Sequence, residues 1–63
     1  MDSMILYPQK CRKSIRRLTD EIGMSAEVAY GQMLITAALM DLRPEDEAVV
    51  NMILQDCGLE VEQ

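Results

Sequence analysis

The chain has 63 residues, and its 11 acidic residues outnumber its 6 basic residues, so the formal net charge is −5. A chain this short builds one small domain, which excludes a Rossmann unit, a TIM barrel or an α/β-hydrolase. It contains no histidine, which excludes histidine-based acid–base catalysis and histidine-ligated metal sites.

The first residues carry an acid early and bases late, the reverse of a signal peptide, which predicts a cytoplasmic protein. No stretch approaches the roughly 18 consecutive apolar residues of a membrane span, so no membrane association is expected. Residues 1–18 contain five of the six bases, whereas residues 19–63 contain ten of the acids. Such polarity suits a basic segment that meets an anionic partner, either nucleic acid or an acidic protein surface, including that of a second copy.

Residues 2–7 form a head that is short enough for one strand, and the pattern of residues 8–22 predicts the first helix. Pro8 can begin a helix because its missing N–H costs nothing there. One apolar stripe recurs at helical spacing, formed by Cys11, Ile15, Leu18 and Ile22. Five bases cover the opposite side: Lys10, Arg12, Lys13, Arg16 and Arg17. This basic side is either a solvated helix surface or a binding surface for an anionic partner.

Residues 25–42 predict a second helix, which Ser25 caps after Gly23 ends the first. The residues from Ala26 onward leave no broad polar side, and a helix that is apolar all round must be buried all round. Two short flanking helices cover only part of it, so we expect an obligate oligomer, most simply a two-fold dimer. The expected dimer-interface residues are Val28, Tyr30, Met33, Leu34, Ile35, Ala38 and Leu39.

Residues 44–57 predict a third helix, which Pro44 begins and whose first acids suit the positive helix N-terminus. Its apolar side is formed by Val49, Val50, Ile53, Leu54 and Cys57, and residues 58–63 form an acidic tail. Cys11 and Cys57 are expected to be reduced, semi-buried thiols. The chain lacks a nucleophile–base pair, a phosphate loop and a set of metal ligands, so we expect no enzyme, no metal and no cofactor.

The order of a helix, Gly23-x-Ser25 and an apolar helix resembles the ribbon-helix-helix (Arc/CopG-type) family of small regulators, over about residues 2–42. The resemblance implies a mainly α fold: a short N-terminal strand and then helices, intertwined into a homodimer whose paired strands enter the major groove of DNA. It implies groove-facing strand positions at Asp2, Met4 and Leu6, and a phosphate clamp at the backbone N–H groups of Ser25 and Ala26. The third helix is an addition to the family pattern.

Two functions remain open at this point. The resemblance favours a homodimeric DNA-binding transcriptional regulator, in which the basic helix adds phosphate contacts. However, Met4 and Leu6 cannot hydrogen-bond to base edges, and Asp2 repels phosphate. The alternative is therefore a protein-interaction module that does not bind DNA, an antitoxin-like, adaptor or inhibitor protein that keeps the helical dimer scaffold.

Overall fold

The computed structural model describes residues 3–58, which form a short 3₁₀ helix and three α-helices. The 3₁₀ helix is Ser3–Leu6. The α-helices are α1 (Gln9–Ile22), α2 (Ala26–Met40) and α3 (Glu47–Asp56). Each α-helix packs against the other two, so the mainly α prediction is confirmed.

The predicted N-terminal strand, and with it the intertwined ribbon-helix-helix fold, is wrong. Residues 3–58 contain no strand, and the Tyr7 N–H donates to the Met4 carbonyl at 3.0 Å. This bond closes a tight turn. The Met4 side chain lies in the core, where it is 9% exposed. An apolar anchor of this kind holds the head against the helices, and a strand would carry it away from them. Asp2 lies outside the described residues.

Helix α1 follows the predicted pattern closely. It begins directly after Pro8, whose extended backbone places it at the N-cap, and it ends at Gly23, which has a φ of 82°. The Gly23 N–H donates to the Thr19 carbonyl at 3.1 Å, a left-handed cap that glycine adopts without strain. The stripe predicted to be apolar is buried at Cys11, Ile15 and Leu18 and half-buried at Ile22.

Helix α2 begins as predicted and ends earlier. The Ser25 Oγ accepts a hydrogen bond from the Val28 N–H at 3.2 Å, which confirms Ser25 as the N-cap. The helix ends at Met40 and not at Leu42, because Asp41 adopts the left-handed conformation, with a φ of 57°. The Leu42 N–H then donates to the Ala37 carbonyl at 2.9 Å, which closes the helix end.

Helix α3 begins three residues later than predicted. Pro44 lies in a turn that the Asp46 N–H closes by donating to the Arg43 carbonyl at 2.9 Å. Asp46 is the N-cap, and its Oδ1 accepts from the Ala48 N–H at 2.9 Å. The Asp46 side chain provides an acceptor for an N–H group of the first helical turn, and Pro44 provides none. The helix therefore starts after Asp46. Cys57 lies beyond the helix end and is exposed, so its predicted burial is wrong.

One hydrophobic core joins the head and the three helices. Its members are Met4, Cys11, Ile15, Leu18, Ala29, Met33, Ala37, Val49, Val50, Ile53 and Leu54. Tyr7 and Tyr30 pack against this core and meet edge to face, with their ring centroids 5.2 Å apart. The core therefore uses only one side of α2, and the other side is exposed.

Candidate interaction surfaces

The basic face of α1 consists of Lys10, Arg12, Lys13, Arg16 and Arg17. Several of these side chains interact within the chain itself. Arg17 Nε donates to Glu21 Oε2 at 2.7 Å, and Lys10 Nζ lies 4.0 Å from Glu45 Oε2. Part of the predicted anion-binding charge is thus neutralised by carboxylates of α1 and of the segment that leads into α3.

Arg12 has a structural role in addition to its charge. Its Nε donates to the Tyr7 carbonyl at 3.1 Å, and the guanidinium is partly buried. This bond joins the head to α1 across the Pro8 junction. Lys13 and Arg16 are exposed.

A cleft of about 290 Å³ lies between α1 and α3, and charges of both signs line it. Lys13 and Arg17 contribute the cations, whereas Glu45 and Glu47 contribute the carboxylates. Glu45 Oε1 is buried without a hydrogen-bond partner. A cleft with alternating charge does not concentrate one sign of potential, so it does not extend the basic face into an anion site.

The three remaining residues predicted to contact nucleic acid have different environments. Met4 is buried, so its prediction as a groove-facing residue is wrong: its side chain packs on the core. Leu6 is 79% exposed but lies on a 3₁₀ helix, where no strand can pair into a ribbon. Ser25 caps α2 with its own side chain.

The residues predicted as a dimer interface divide into two groups. Five face outward and are exposed: Val28, Leu34, Ile35, Ala38 and Leu39. Met33 is fully buried in the chain's own core, so for this residue the prediction is wrong. Tyr30 is half-buried and packs on Tyr7, and its role in a dimer stays a prediction. The helical repeat separates the groups, because residues 29, 33 and 37 lie on the opposite side from residues 28, 35 and 39.

We define the outer face of α2 as Val28, Gly31, Leu34, Ile35, Ala38, Leu39 and Leu42. Leu39 is 83% exposed, Ile35 is 59% exposed and Val28 is 50% exposed. The large residues of the outer face together expose as much surface as between two and three whole aliphatic residues. At about 1.5–3 kcal/mol for each such side chain removed from water, roughly 4–8 kcal/mol per chain is available to a partner.

Gly31 and Leu42 belong to this face, although neither was among the residues predicted for it. Leu42 is 38% exposed beside the end of α2. A seven-residue spacing connects Val28, Ile35 and Leu42, and the same spacing connects Gly31 to Ala38. The same spacing connects Ala26, Met33 and Met40 on the core side, so the repeat groups residues on one side of the helix but does not state which side meets the core.

Residues 3–58 contain no group of three or more cysteine, aspartate or glutamate side chains that could hold a metal ion. None of the helices in this range is both long and apolar enough to cross a membrane.

Comparisons with known proteins give no relative. No protein-family model, no curated protein and no solved structure matches this chain.

Proposed function

We propose that the protein is a non-enzymatic interaction module that binds a protein partner through the outer face of α2. The observation that carries the proposal is the exposure of that face, which reaches 83% at Leu39. Monomeric proteins rarely expose large contiguous apolar patches, and the largest patch on a monomer is often a binding surface.

A protein partner suits the outer face better than nucleic acid does. Nucleic-acid binding depends on cations that neutralise phosphates. None of the seven residues that define the outer face is charged, and Glu27, which lies on the same side at the start of α2, would repel phosphate. The apolar side chains at the centre of the face match the anchors with which one helix packs against another protein.

The contacts of the basic face of α1 also favour a protein partner over nucleic acid. Lys10 and Arg17 lie beside carboxylates of this chain, and Arg12 is bonded to the head. Phosphate would have to compete with these contacts. The proposal also places the protein in the cytoplasm, where the unpaired Cys11 and Cys57 remain reduced.

Photo-crosslinking in the native host tests this proposal. Leu39 is replaced by the photoreactive amino acid benzoylphenylalanine, and adducts are identified by mass spectrometry. The matched control carries the same replacement at Gln55, an exposed position of α3. We expect protein adducts from position 39 and none from position 55. Equal labelling at both positions, or none at position 39, would overturn the proposal.

A DNA titration addresses the regulator function directly. The purified wild type is mixed with genomic fragments at about 50 mM salt, where electrostatic binding is strong. We expect no shift of the DNA. A shift that weakens steeply with added salt, and that disappears when Lys13 and Arg16 are both changed to Gln, would instead assign the function to the basic face of α1.

A further inference from the structure

We infer that the partner on the outer face of α2 is a second copy of this chain, packed antiparallel about a two-fold axis between Ile35 and Ala38. The inference rests on the proposed function and names its partner. It is carried by the shape of the outer face, by an otherwise unexplained glycine, by the size of the contact and by the charges at its two ends.

The outer face alternates large and small residues in a way that fits its own copy. Val28 and Ile35 form a row of large side chains along α2, continued by Leu42 just past the helix end. Gly31 and Ala38 form a parallel row of small ones. When two such helices pack antiparallel, the large row of each faces the small row of the other. A parallel pair places each small residue against itself and leaves voids, which packed interfaces avoid.

Gly31 has no explanation within a single chain. A Cβ built at this position meets no atom within 4 Å, and its backbone is helical without a positive φ. Glycine in a helix interior is less stable than alanine, so the monomer gains nothing from it. A second helix that approaches closely at this point does require a small residue. The two-fold axis between Ile35 and Ala38 places Leu42 of the second copy opposite Gly31, so Leu42 is the side chain that would occupy the space.

The size of the contact and its charges agree with a dimer. Helix α2 has 15 residues and is therefore about 22 Å long. Two copies in contact along it bury on the order of 1,000 Å² in total, the lower limit of a specific interface. Arg43 is the only cation outside residues 1–18. Antiparallel packing brings it to the end of the other helix, where Glu27 lies, whereas parallel packing sets it beside Arg43 of the second copy.

Sedimentation equilibrium of the wild type and two matched variants tests the inference. The wild type should reach twice the chain mass at micromolar concentration. Ala38→Leu fills a small position of the interface, and overpacking should raise the dissociation constant at least about tenfold. Ala48→Leu makes the identical change at an exposed alanine of α3 and should leave the constant unchanged.

The direction of the Ala38→Leu effect separates a shaped interface from simple apolar adhesion. Added apolar surface strengthens adhesion, whereas it weakens a close-packed contact. Tighter association of Ala38→Leu, or equal effects of Ala38→Leu and Ala48→Leu, would therefore overturn the antiparallel interface. Circular dichroism of each variant shows whether it is folded, and Gly31→Leu provides a second variant that raises helix propensity and should still weaken the dimer.

Disulfide trapping in a Cys57→Ser background tests the orientation. In the antiparallel dimer, Ile35→Cys lies close to its own copy and should form an intermolecular disulfide. Val28→Cys lies more than about 20 Å from its own copy along the axis and should not. Efficient trapping of Val28→Cys would show a parallel dimer and overturn the inference.

The two proposals fail in different ways. A wild type that stays monomeric at millimolar concentration, together with host adducts from position 39 to another protein, overturns the second copy and retains the interaction module. A monomer without any adduct overturns both.

Discussion

Helices α1 and α2 bury equivalent apolar stripes but present opposite chemistry to solvent. In α1 the inner side holds Ile15 and Leu18, and the outer side is basic. In α2 the inner side holds Ala29 and Met33, and the outer side is again aliphatic, with Leu39 almost fully exposed. Packing in the core covers the apolar stripe of α1, whereas α2 has a second apolar surface that the chain does not cover.

The difference shows that the three-helix core and the outer face of α2 are separable. The core is satisfied by one side of each helix, so nothing in the fold requires the aliphatic residues on the outer face of α2. Charged residues at Ile35 or Leu39 would solubilise the monomer as the bases of α1 do. Their absence is consistent with a binding role for that side of α2.

The largest expected effect comes from placing the same charge on the two sides of α2. Met33→Asp buries a carboxylate without a partner at a fully buried position. It should lose at least about 3 kcal/mol of unfolding free energy, which unfolds a domain this small. Leu39→Asp should change the stability of the monomer by less than about 0.5 kcal/mol. Urea unfolding of dilute samples, followed by circular dichroism, measures both. Unfolding of Leu39→Asp as well would show that folding itself requires the outer face to be covered.

An intermediate effect concerns the inner side of α1 and depends on pH. Burial raises the pKa of the Cys11 thiol above its ordinary value of 9.0, the negative charge of Glu45 raises it further, and Lys10 opposes them. The folded state holds this proton more tightly than the unfolded chain does. The stabilisation is therefore complete below about pH 9 and declines as the pH rises toward the folded-state pKa.

Urea unfolding between about pH 8 and pH 10 measures that decline. The wild type and Cys57→Ala should lose stability in parallel, because Cys57 is exposed. Cys11→Ala should start lower, since it leaves a cavity, but should lose less across the same range. Identical slopes for all three proteins would mean that the Cys11 thiol is not sealed from solvent.

The smallest effect is expected on the outer side of α1. Arg17 and Glu21 form an ion pair one helical turn apart, with side chains that are 39% and 46% exposed. Such pairs contribute about 0.3–0.5 kcal/mol, so Arg17→Gln should cost no more than that and less at high salt. A double-mutant cycle with Glu21→Gln isolates the pair. A coupling above about 1 kcal/mol would indicate that the basic face of α1 stabilises the fold more than solvated charges do.

Local signals in the sequence predicted the helices because short-range chemistry decides them. Gly23 and Ser25 mark the boundary between α1 and α2, since a left-handed cap and a side-chain acceptor are needed at those points whatever the rest of the chain does. The stripe of α1 has one apolar side and a charged opposite side, so its burial follows from periodicity alone. The start of α3 was misplaced because Pro44 and Asp46 are both good N-terminal residues, and the capping bond at Asp46 determined the start.

The sequence by itself determined a mainly α chain, the Gly23–Ser25 junction, the buried stripe of α1 and the presence of more apolar surface on α2 than one chain can bury. Only the tertiary structure decided that the head forms a 3₁₀ helix, that Met33 points inward and Leu39 outward, and that the bases of α1 lie near acids of the same chain. These features depend on which neighbours a side chain meets. A helix that is apolar all round has no periodic signal to state which side meets the core, so its two sides become distinct only when α1 and α3 pack against one of them.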